Sequence, residues 1–487
     1  MSRNLTQLAE VSDKLIALRQ PVSEYAHEMI ESNFREHFTI YDCFEFNNKD
    51  IELDQLAVTI RHVVSQAPDL TNTIIVDGAK RELIRLRDER ICLERFDLDQ
   101  VTPTGGVKKD YVANYCALLQ KQFAFDGRTQ LIRFVVFENV KTGTSWFFVA
   151  AHHFIMDGIG LLSLLRLIEQ CYNSKKLHGR WPDLLPRPSV FDYSQAKENY
   201  AYQALSELDL WRKYAPSGAS VRTTAKETHF DQDELRRRLH DLQGRPNSEE
   251  DYIRGELCFE EVRLSRVFLS AFLSIAQDSE AYSGLDLMLY ALREAIAERE
   301  QNLWIDLLLS GRFGAFSAES FSRCIADMTE FVPLLLPQPS GELTNDLSYI
   351  HARRTEAPHS GMGFRALKRF MRDHPDHDCA EEIGRWQNPR VGLNYRVDFE
   401  NEAGPAFLNM QPVDAWLGSP GGNRSGNWCQ SPHDLGLTIT LQCDEISISA
   451  DYLPWAFNRA EVRSILSNML TSLERIIPML TNPTHWS

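Results

Sequence analysis

The chain has 487 residues, 43% hydrophobic and 25% charged, which is typical of a soluble globular protein large enough for two or three domains. Its 68 acidic and 52 basic side chains give a formal net charge of −16, so we expect no nucleic acid and no anionic membrane as partner, because phosphate groups would be repelled. No apolar run approaches the roughly 20 residues that a membrane-spanning helix needs.

The first half of the sequence alternates strands and helices. Residues 1–21 are predicted to form an amphipathic helix, and their order of charged and apolar residues is not that of a secretory signal. Apolar alternation and helical periodicity then predict strands at 37–46, 72–78, 131–140 and 145–153 and helices at 54–66, 112–123 and 160–173.

The second half shows the same alternation after the proline-rich segment RWPDLLPRPSVFDY, a candidate crossing between two lobes. We predict an exposed polar excursion at 216–252, a flexible loop at 418–427, a helix at 285–300, strands at 304–312 and 329–337, a hairpin at 435–453 and a closing amphipathic helix. The sequence therefore predicts an α/β protein with two lobes, residues 1–185 and residues 186–487.

Nine cysteines are scattered along the chain and form no CxxC pair. Neither a zinc ribbon nor a disulfide framework is indicated, and a reducing, cytoplasmic location is the expectation. There is no GxSxG elbow and no recognisable catalytic cysteine signature, so a covalent acyl-enzyme is not predicted.

The window FFVAAHHFIMDGIG (147–160) holds the residues best suited to chemistry. Its glycines open a helix as in a dinucleotide fingerprint, but the third glycine of that motif is missing. His153 and Asp157 are four apart, as in some metal sites, but His152 and His153 occupy successive strand positions and so point to opposite faces. We therefore predict no metal in this window.

Two readings of the window stay open from the residues alone. Asp157 precedes a helix and is a candidate N-cap, and both histidines could be buried residues at the end of a strand. Alternatively, a histidine held rigidly before a glycine turn is well placed to take a proton from an amine, hydroxyl or thiol, acting as a general base. A second cluster, HPDHDC (374–379), has metal-ligand chemistry but is expected to be a solvated loop.

His152-His153-Phe154-Ile155-Met156-Asp157-Gly158 resembles the HHxxxDG motif of nonribosomal-peptide condensation domains and of chloramphenicol-acetyltransferase-like, CoA-dependent acyltransferases. FDGRTQLIR before the motif, Ser310-Gly311-Arg312 and EFVPLLLP after it, and SPHDLGLTITLQCDEISISADYLPWAFNRAEV near the end resemble further family segments in the family's order. The resemblance covers roughly residues 35 to 478.

The sequence also departs from the family. Thr71 stands where the family's HPxLR turn has arginine, and Ala326 and Glu330 replace a glycine and an asparagine. The opening SxxQxRxW signature is not recognisable in residues 1–36. The second signature of epimerisation domains and the DxxxxD of heterocyclisation domains are absent. These differences favour a divergent, freestanding member.

The resemblance implies a V-shaped pair of acetyltransferase-like lobes with a tunnel between them. It also implies roles at the site: His153 deprotonates or positions the nucleophile, His152 supports it, and the backbone amide of Gly158 lies near the thioester. Asp157 is implied to be structural and to pair with an arginine of the preceding strand, for which Arg133 is the matching candidate.

The implied activity is an acyltransferase reaction that forms an amide or ester in natural-product biosynthesis, of nonribosomal peptides, antibiotics or polyketide hybrids. The donor would be an acyl or aminoacyl thioester on the phosphopantetheine of a carrier protein, and the acceptor a small amine or alcohol. Two alternatives are an acyl-CoA-dependent O- or N-acyltransferase and an inactive scaffold or docking protein. The basic segment RALKRFMRD (365–373) is either a contact for an acidic carrier protein or CoA phosphate, or a helix with Phe364, Leu367, Phe370 and Met371 inward.

Overall fold

The computed structural model describes residues 16–23, 26, 30, 39–77, 80–87, 91–101, 108–120, 122–214, 258–264, 266–278, 282–297, 302–313, 321–357, 361–397, 408, 410–412, 433–441, 446–452 and 456–481. The predicted excursion at 216–252 and the predicted loop at 418–427 lie outside these residues.

Strands and helices alternate along both halves of the chain. The strands are β1 (Ile16–Pro21), β2 (Thr39–Asn47), β3 (Asn72–Asp77), β4 (Lys80–Leu86), β5 (Leu93–Asp97), β6 (Ile132–Glu138), β7 (Thr144–His152), β8 (Cys258–Leu264), β9 (Asn302–Ser310), β10 (Thr329–Pro337), β11 (Val391–Val397), β12 (Gln411–Pro412), β13 (Leu435–Leu441) and β14 (Ile446–Tyr452). The helices are α1 (Leu53–Gln66), α2 (Leu98–Val101), α3 (Lys108–Gln120), α4 (Gly158–His178), α5 (Val190–Gln203), α6 (Leu208–Tyr214), α7 (Arg266–Asp278), α8 (Gly284–Ile296), α9 (Leu343–Glu356), α10 (Gly363–Asp373), α11 (Ala380–Gly384) and α12 (Arg459–Thr481).

A five-stranded sheet of order β12-β2-β7-β6-β5 lies in the first apolar core. Strand β7 lies in its centre and runs antiparallel to both β2 and β6. Every residue of β7 after Thr144 is buried, which accounts for its continuous apolar sequence, because a strand covered on both faces does not alternate with polar residues. His152 is thereby held at the end of a central strand.

A six-stranded sheet of order β10-β9-β11-β13-β14-β8 forms the second core. Strands β9 and β10 pair antiparallel, and β11 runs parallel to both β9 and β13. Helix α12 packs against α7, α8 and β8, while α9 and α10 pack against β10. The predicted hairpin at 435–453 is confirmed as the antiparallel pair β13–β14, with its tip outside the described residues.

Part of the second half of the chain packs into the first core. Phe321, Cys324 and Ile325 belong to the apolar cluster around β7, and β12 joins the edge of the first sheet beside β2. The segment before β10 therefore reaches the start of α4, where the Met328 N–H donates to Asp157 Oδ2 at 2.9 Å.

The two apolar clusters meet within α5. Val190 and Tyr193 of this helix belong to the first cluster, and Tyr200 and Ala201 belong to the second. The division into residues 1–185 and 186–487 remains a prediction. None of the helices in the described ranges is long and apolar enough to cross a membrane.

The predicted helix over residues 1–21 is wrong at its C-terminal end. Residues Ile16–Pro21 form β1, which pairs antiparallel with β4 in a small sheet of order β1-β4-β3. Residues 1–15 lie outside the described part of the chain. The conformation of this short segment follows from its pairing partner about 65 residues away rather than from local periodicity.

Helix α10 confirms the inward face predicted for the basic segment. Its predicted apolar residues are all buried, namely Phe364, Leu367, Phe370 and Met371. Two of its arginines are buried as well: Arg365 donates to Asp306 at 2.7 Å, and Arg369 lies 3.3 Å from Glu198. The helix is thus an internal packing element, which argues against the alternative of a basic contact surface.

Candidate active site

His152 and His153 occupy different environments at the end of β7. His152 is fully buried, its Nδ1 accepts a hydrogen bond from the Phe154 N–H at 3.2 Å, and its ring contacts Phe125 edge-on at 4.8 Å. Because Nδ1 is an acceptor, the neutral ring carries its proton on Nε2. This ring contributes to the packing of the turn, and the supporting role of His152 in catalysis remains a prediction.

His153 begins a short 3₁₀ turn, His153–Ile155, and keeps 17% of its side chain exposed. Its Nδ1 lies 3.8 Å from Oδ1 of Asp327, a residue in the segment before β10. Of the two adjacent histidines, His153 is therefore the one that a substrate can reach. A histidine at the end of a rigid central strand has the restricted position that proton transfer requires.

Asp157 caps α4, which confirms the predicted N-cap. Its Oδ1 accepts from the Gly160 N–H at 2.7 Å, and its Oδ2 accepts from Arg312 Nη1 at 2.5 Å and from the Met328 N–H at 2.9 Å. Both carboxylate oxygens are thus engaged in holding the start of the helix against the second half of the chain.

The predicted pairing of Asp157 with Arg133 is wrong. Arg133 lies on β6 opposite Ala150 and donates to Glu94 at 2.9 Å and to Gln122 at 2.7 Å, on the side of the sheet near β5. Asp157 lies beyond the 3₁₀ turn and faces the β9–β10 segment, out of reach of β6. Its partner is Arg312 instead.

Arg312 is the site residue that sequence reasoning missed. It is 1% exposed and donates through Nη2 to the carbonyl oxygens of Cys324 at 3.0 Å and Ala326 at 2.7 Å. A signal for it existed, since Ser310-Gly311-Arg312 had been matched to a family segment, but nothing in the sequence connects it to Asp157, 155 residues away.

The two glycines that follow Asp157 have different requirements. A Cβ added at Gly160 would lie 2.9 Å from the Ala326 carbonyl oxygen, so Gly160 permits close packing of α4 on the second half of the chain. A Cβ added at Gly158 would meet no heavy atom within 4 Å. The space above Gly158 is open, and its N–H is one of the helix-terminal donors that have no partner within the helix.

That helix N-terminus can stabilise a developing negative charge. Backbone N–H groups at the first turn of a helix carry a partial positive charge from the helix dipole. An oxyanion that forms above Gly158 would be bound by such a donor, which is the electrostatic requirement of acyl transfer.

A crevice that reaches Phe154 in the His153–Ile155 turn is further lined by residues of β1, β3, β4, α5 and α10, and by Asp327 to Glu330 at the start of β10. Lys197 of α5 reaches across it to Glu330, with Nζ–Oε distances of 2.5 and 2.6 Å, and the Tyr193 hydroxyl donates to the same carboxylate at 2.9 Å. Burial and the adjacent Glu330 raise the pKa of Tyr193 well above its ordinary value, so its hydroxyl stays protonated.

Asp327 is the second carboxylate of this crevice. Its side chain is 3% exposed, and among the described residues Oδ2 has no hydrogen-bond partner. Burial, followed by the negative charge of Asp157, raises the pKa of Asp327 well above its ordinary value.

The departures from the family pattern have defined partners. The Thr71 hydroxyl donates to the Pro68 carbonyl oxygen at 2.8 Å. Ala326 supplies the carbonyl that receives Arg312, and Glu330 is the carboxylate of the ion pair with Lys197. Glu330, which the sequence resemblance aligns with the family asparagine, thus forms a buried ion pair.

Three buried cysteines, Cys116, Cys171 and Cys324, are poor nucleophiles. Burial raises the pKa of Cys171 to about 11, and it raises the pKa of Cys116 and of Cys324 further above the ordinary value. A thiol must ionise to attack, so these side chains do not suit covalent catalysis.

The part of the chain that the structure describes contains no group of three His, Cys, Asp or Glu side chains able to hold a metal ion. Within HPDHDC, Nδ1 of His374 donates to the Phe370 carbonyl oxygen at 2.9 Å and its ring stacks on the Phe370 ring, while the Cys379 N–H donates to His377. Both rings serve local packing in a largely exposed loop.

The sequence matches no protein-family model and has no significant match among curated proteins. Solved structures are similar over nearly the whole chain. The epimerization domain from the third module of tyrocidine synthetase B has a TM-score of 0.71 at 15% identity, over 94% of this chain and 97% of that one.

Two further solved structures are similar over a comparable extent of the chain. The condensation domain from Monacolin K polyketide synthase has a TM-score of 0.62 at 14% identity, over 96% of this chain and 99% of that one. The SgcC5 protein from Streptomyces globisporus has a TM-score of 0.63 at 14% identity, over 94% and 99%. The predicted resemblance is confirmed at the level of architecture: the chain has the mixed α/β fold shared by condensation and epimerization domains.

Proposed function

We propose that this protein is a condensation-type acyltransferase, which transfers an acyl or aminoacyl group from a thioester to an amine or alcohol. The observation that carries this proposal is the turn from His153 to Gly158. It presents a partly exposed histidine at one end and, at the other, Gly158, whose Cβ position is open and whose N–H is a helix-terminal donor. Asp157 and Arg312 hold that turn rigidly between the two halves of the chain.

The residues support direct transfer without an acyl-enzyme. The acceptor nitrogen or oxygen attacks the thioester carbonyl carbon, and its proton passes to Nε2 of His153. The carbonyl oxygen, which becomes negative in the tetrahedral intermediate, is bound by the Gly158 N–H. The carbon–sulfur bond then breaks, and the departing sulfur takes the proton. Because a thioester is already activated, alignment and one proton transfer are the main contributions required of the protein.

The donor is proposed to be carried on the phosphopantetheine of a carrier protein. The chain itself is proposed to have a two-lobed, V-shaped architecture with a tunnel that admits donor and acceptor from opposite faces. The condensation domains among the similar structures favour this donor over free acyl-CoA. We further propose a role in natural-product biosynthesis in the cytoplasm, where free cysteines such as Cys43 and Cys92 are stable.

The test is an intact-mass assay that offers acyl-carrier-protein and acyl-CoA donors with a panel of amines and alcohols. The panel should include a vicinal diol, because the SgcC5 structure holds (R)-(-)-1-(2-naphthyl)-1,2-ethanediol. We expect loss of the acyl mass from the carrier and formation of an amide or ester. Turnover with CoA alone would favour the CoA-dependent alternative, and absence of turnover with tight carrier binding would favour a scaffold.

A further inference from the structure

We propose that Asp327 is the positioning residue of His153: its carboxylate accepts the Nδ1–H of the imidazole and so directs Nε2 toward the acceptor nucleophile. This inference rests on the proposed function, because it assigns a partner to the histidine that acts there. It concerns a residue outside the HHxxxDG motif and 174 positions further along the chain.

The geometry brings the two side chains together from different halves of the chain. Nδ1 of His153 lies 3.8 Å from Oδ1 of Asp327, and the two side chains are 17% and 3% exposed. A separation of this size between a base and its orienting group is common in a protein without substrate, and such contacts shorten in the complex with substrate.

A backbone hydrogen bond fixes the side chain of Asp327. The Thr329 N–H donates to its Oδ1 at 3.1 Å, which fixes the carboxylate at the start of β10. Its Oδ2 is buried and has no hydrogen-bond partner among the described residues, although the side chain lines the crevice. A buried carboxylate oxygen without a donor is costly unless it has a role in the bound state.

The cations near the pair form ion pairs with other carboxylates and so do not compete with His153 for Asp327. The buried cation Arg312 donates to Asp157 and to the backbone carbonyls of Cys324 and Ala326 instead of to Asp327. Lys197 is likewise committed to Glu330. The titratable and charged groups that face Asp327 or share its crevice are Asp157, Arg312, Tyr193, Lys197, Glu330 and Arg369.

The pairing gives each nitrogen of His153 one task. With Nδ1–H directed at the carboxylate, the lone pair of neutral His153 lies on Nε2, where it takes the proton released as the new carbon–nitrogen or carbon–oxygen bond forms. The imidazolium produced is stabilised by the carboxylate until Nε2 returns that proton to the departing sulfur. Asp327 is neither consumed nor changed, so the step balances without another reactant.

The pairing also sets the pH dependence. A carboxylate beside an imidazole favours the charged imidazolium. His153 must be neutral to act as a base, so wild-type activity rises as the pH increases through its titration. The positioning role requires the ionised carboxylate and so operates above the raised pKa of Asp327. In that range Asp327→Asn removes the negative charge, and the acid limb of kcat/KM should move to lower pH.

The first arm of the test is ¹⁵N NMR of histidine-labelled protein, with the His153 signals identified by their absence in His153→Gln. In the wild type we expect neutral His153 to be protonated on Nδ1. In Asp327→Asn we expect the His153 imidazole to titrate at lower pH than in the wild type. His433, whose Nε2 lies 2.9 Å from Asp306, is the internal control and should not change. Asp327→Ala provides a second variant if Asp327→Asn does not fold.

The second arm measures kcat and KM separately for the wild type and both variants. We expect kcat to fall about tenfold to a hundredfold with little change in KM for either substrate. A His153 titration that is unchanged in both variants, or a shifted titration with an unchanged kcat and acid limb, would overturn the positioning role. A wild type that shows the Nδ1 tautomer but turns over no donor would instead overturn the proposed function and leave the pairing intact.

Discussion

The Arg312 guanidinium lies 2.5 Å from Oδ2 of Asp157 and joins the start of α4 to the strand pair of the other half of the chain. Arg312 is essentially inaccessible to solvent, and Asp157 is 6% exposed. Asp157 therefore acts through architecture, because both of its carboxylate oxygens accept hydrogen bonds that fix the turn carrying His153 and Gly158.

Breaking this ion pair should destabilise the protein. Arg312→Met leaves a buried carboxylate without its cation, and we expect the free energy of unfolding to fall by about 3–5 kcal/mol. Arg133→Met is the matched control, because the Arg133–Glu94 pair is about 30% exposed and worth about 0–1 kcal/mol. Urea denaturation of both variants measures the difference, and an equal effect of the two would contradict the assigned partner.

Alanine substitutions at Gly158 and Gly160 should separate an effect on kcat from an effect on packing. Gly160→Ala places a Cβ against the Ala326 carbonyl and should lower the free energy of unfolding by about 1–3 kcal/mol. Gly158→Ala enters open space, so its stability should change by no more than about 1 kcal/mol. Its kcat should nevertheless fall about tenfold or more, since the methyl group obstructs close approach of the thioester. A Gly158→Ala enzyme with wild-type kcat would rule out approach of the thioester at this amide.

The buried ion pair between Lys197 and Glu330 should show strong coupling. Lys197→Met leaves Glu330 buried with the Tyr193 hydroxyl as its side-chain donor among the described residues, and we expect the free energy of unfolding to fall by about 3–5 kcal/mol. Adding Glu330→Gln to that variant should restore most of the stability, since no buried charge remains. A double-mutant cycle in urea measures the coupling, and additive losses would show that the two side chains stabilise the fold independently.

Asp327 should make the folded state less stable as the pH rises. Its pKa is raised in the folded protein above the ordinary value of 3.8, so the native state binds more protons than the unfolded state in this window. The stabilisation is present below the unfolded pKa and is lost as the pH increases through the folded one. Urea denaturation of the wild type and Asp327→Asn over a pH series should show the wild type losing stability relative to the variant above about pH 4. A constant difference would contradict the raised pKa.

Local sequence patterns predicted the elements whose burial dictates their composition. The apolar run of β7, the strand at 329–337 and the inward face of α10 all follow from periodicity or continuous burial. The strand β1 was missed because a six-residue segment takes its conformation from its partner β4, and no local pattern encodes that pairing.

The site residues likewise differ in whether the local sequence predicts their contacts. The N-cap role of Asp157 was predictable because a cap is made with residues three positions away. Arg312 and Asp327 could not be assigned from spacing, because they reach the motif through tertiary packing from more than 150 positions along the chain. Arg133 was the nearer candidate in sequence, and the register of β6 directs it elsewhere.

The central claim is that His153 takes the proton of the acceptor during acyl transfer. The most direct measurement is the rate of product formation by wild type and His153→Ala at saturating donor and acceptor, with urea denaturation of both as the control for folding. We expect the rate to fall about 10²-fold or more, with the free energy of unfolding changed by about 1 kcal/mol or less because the side chain is partly exposed. A His153→Ala enzyme that forms product at the wild-type rate would contradict the account.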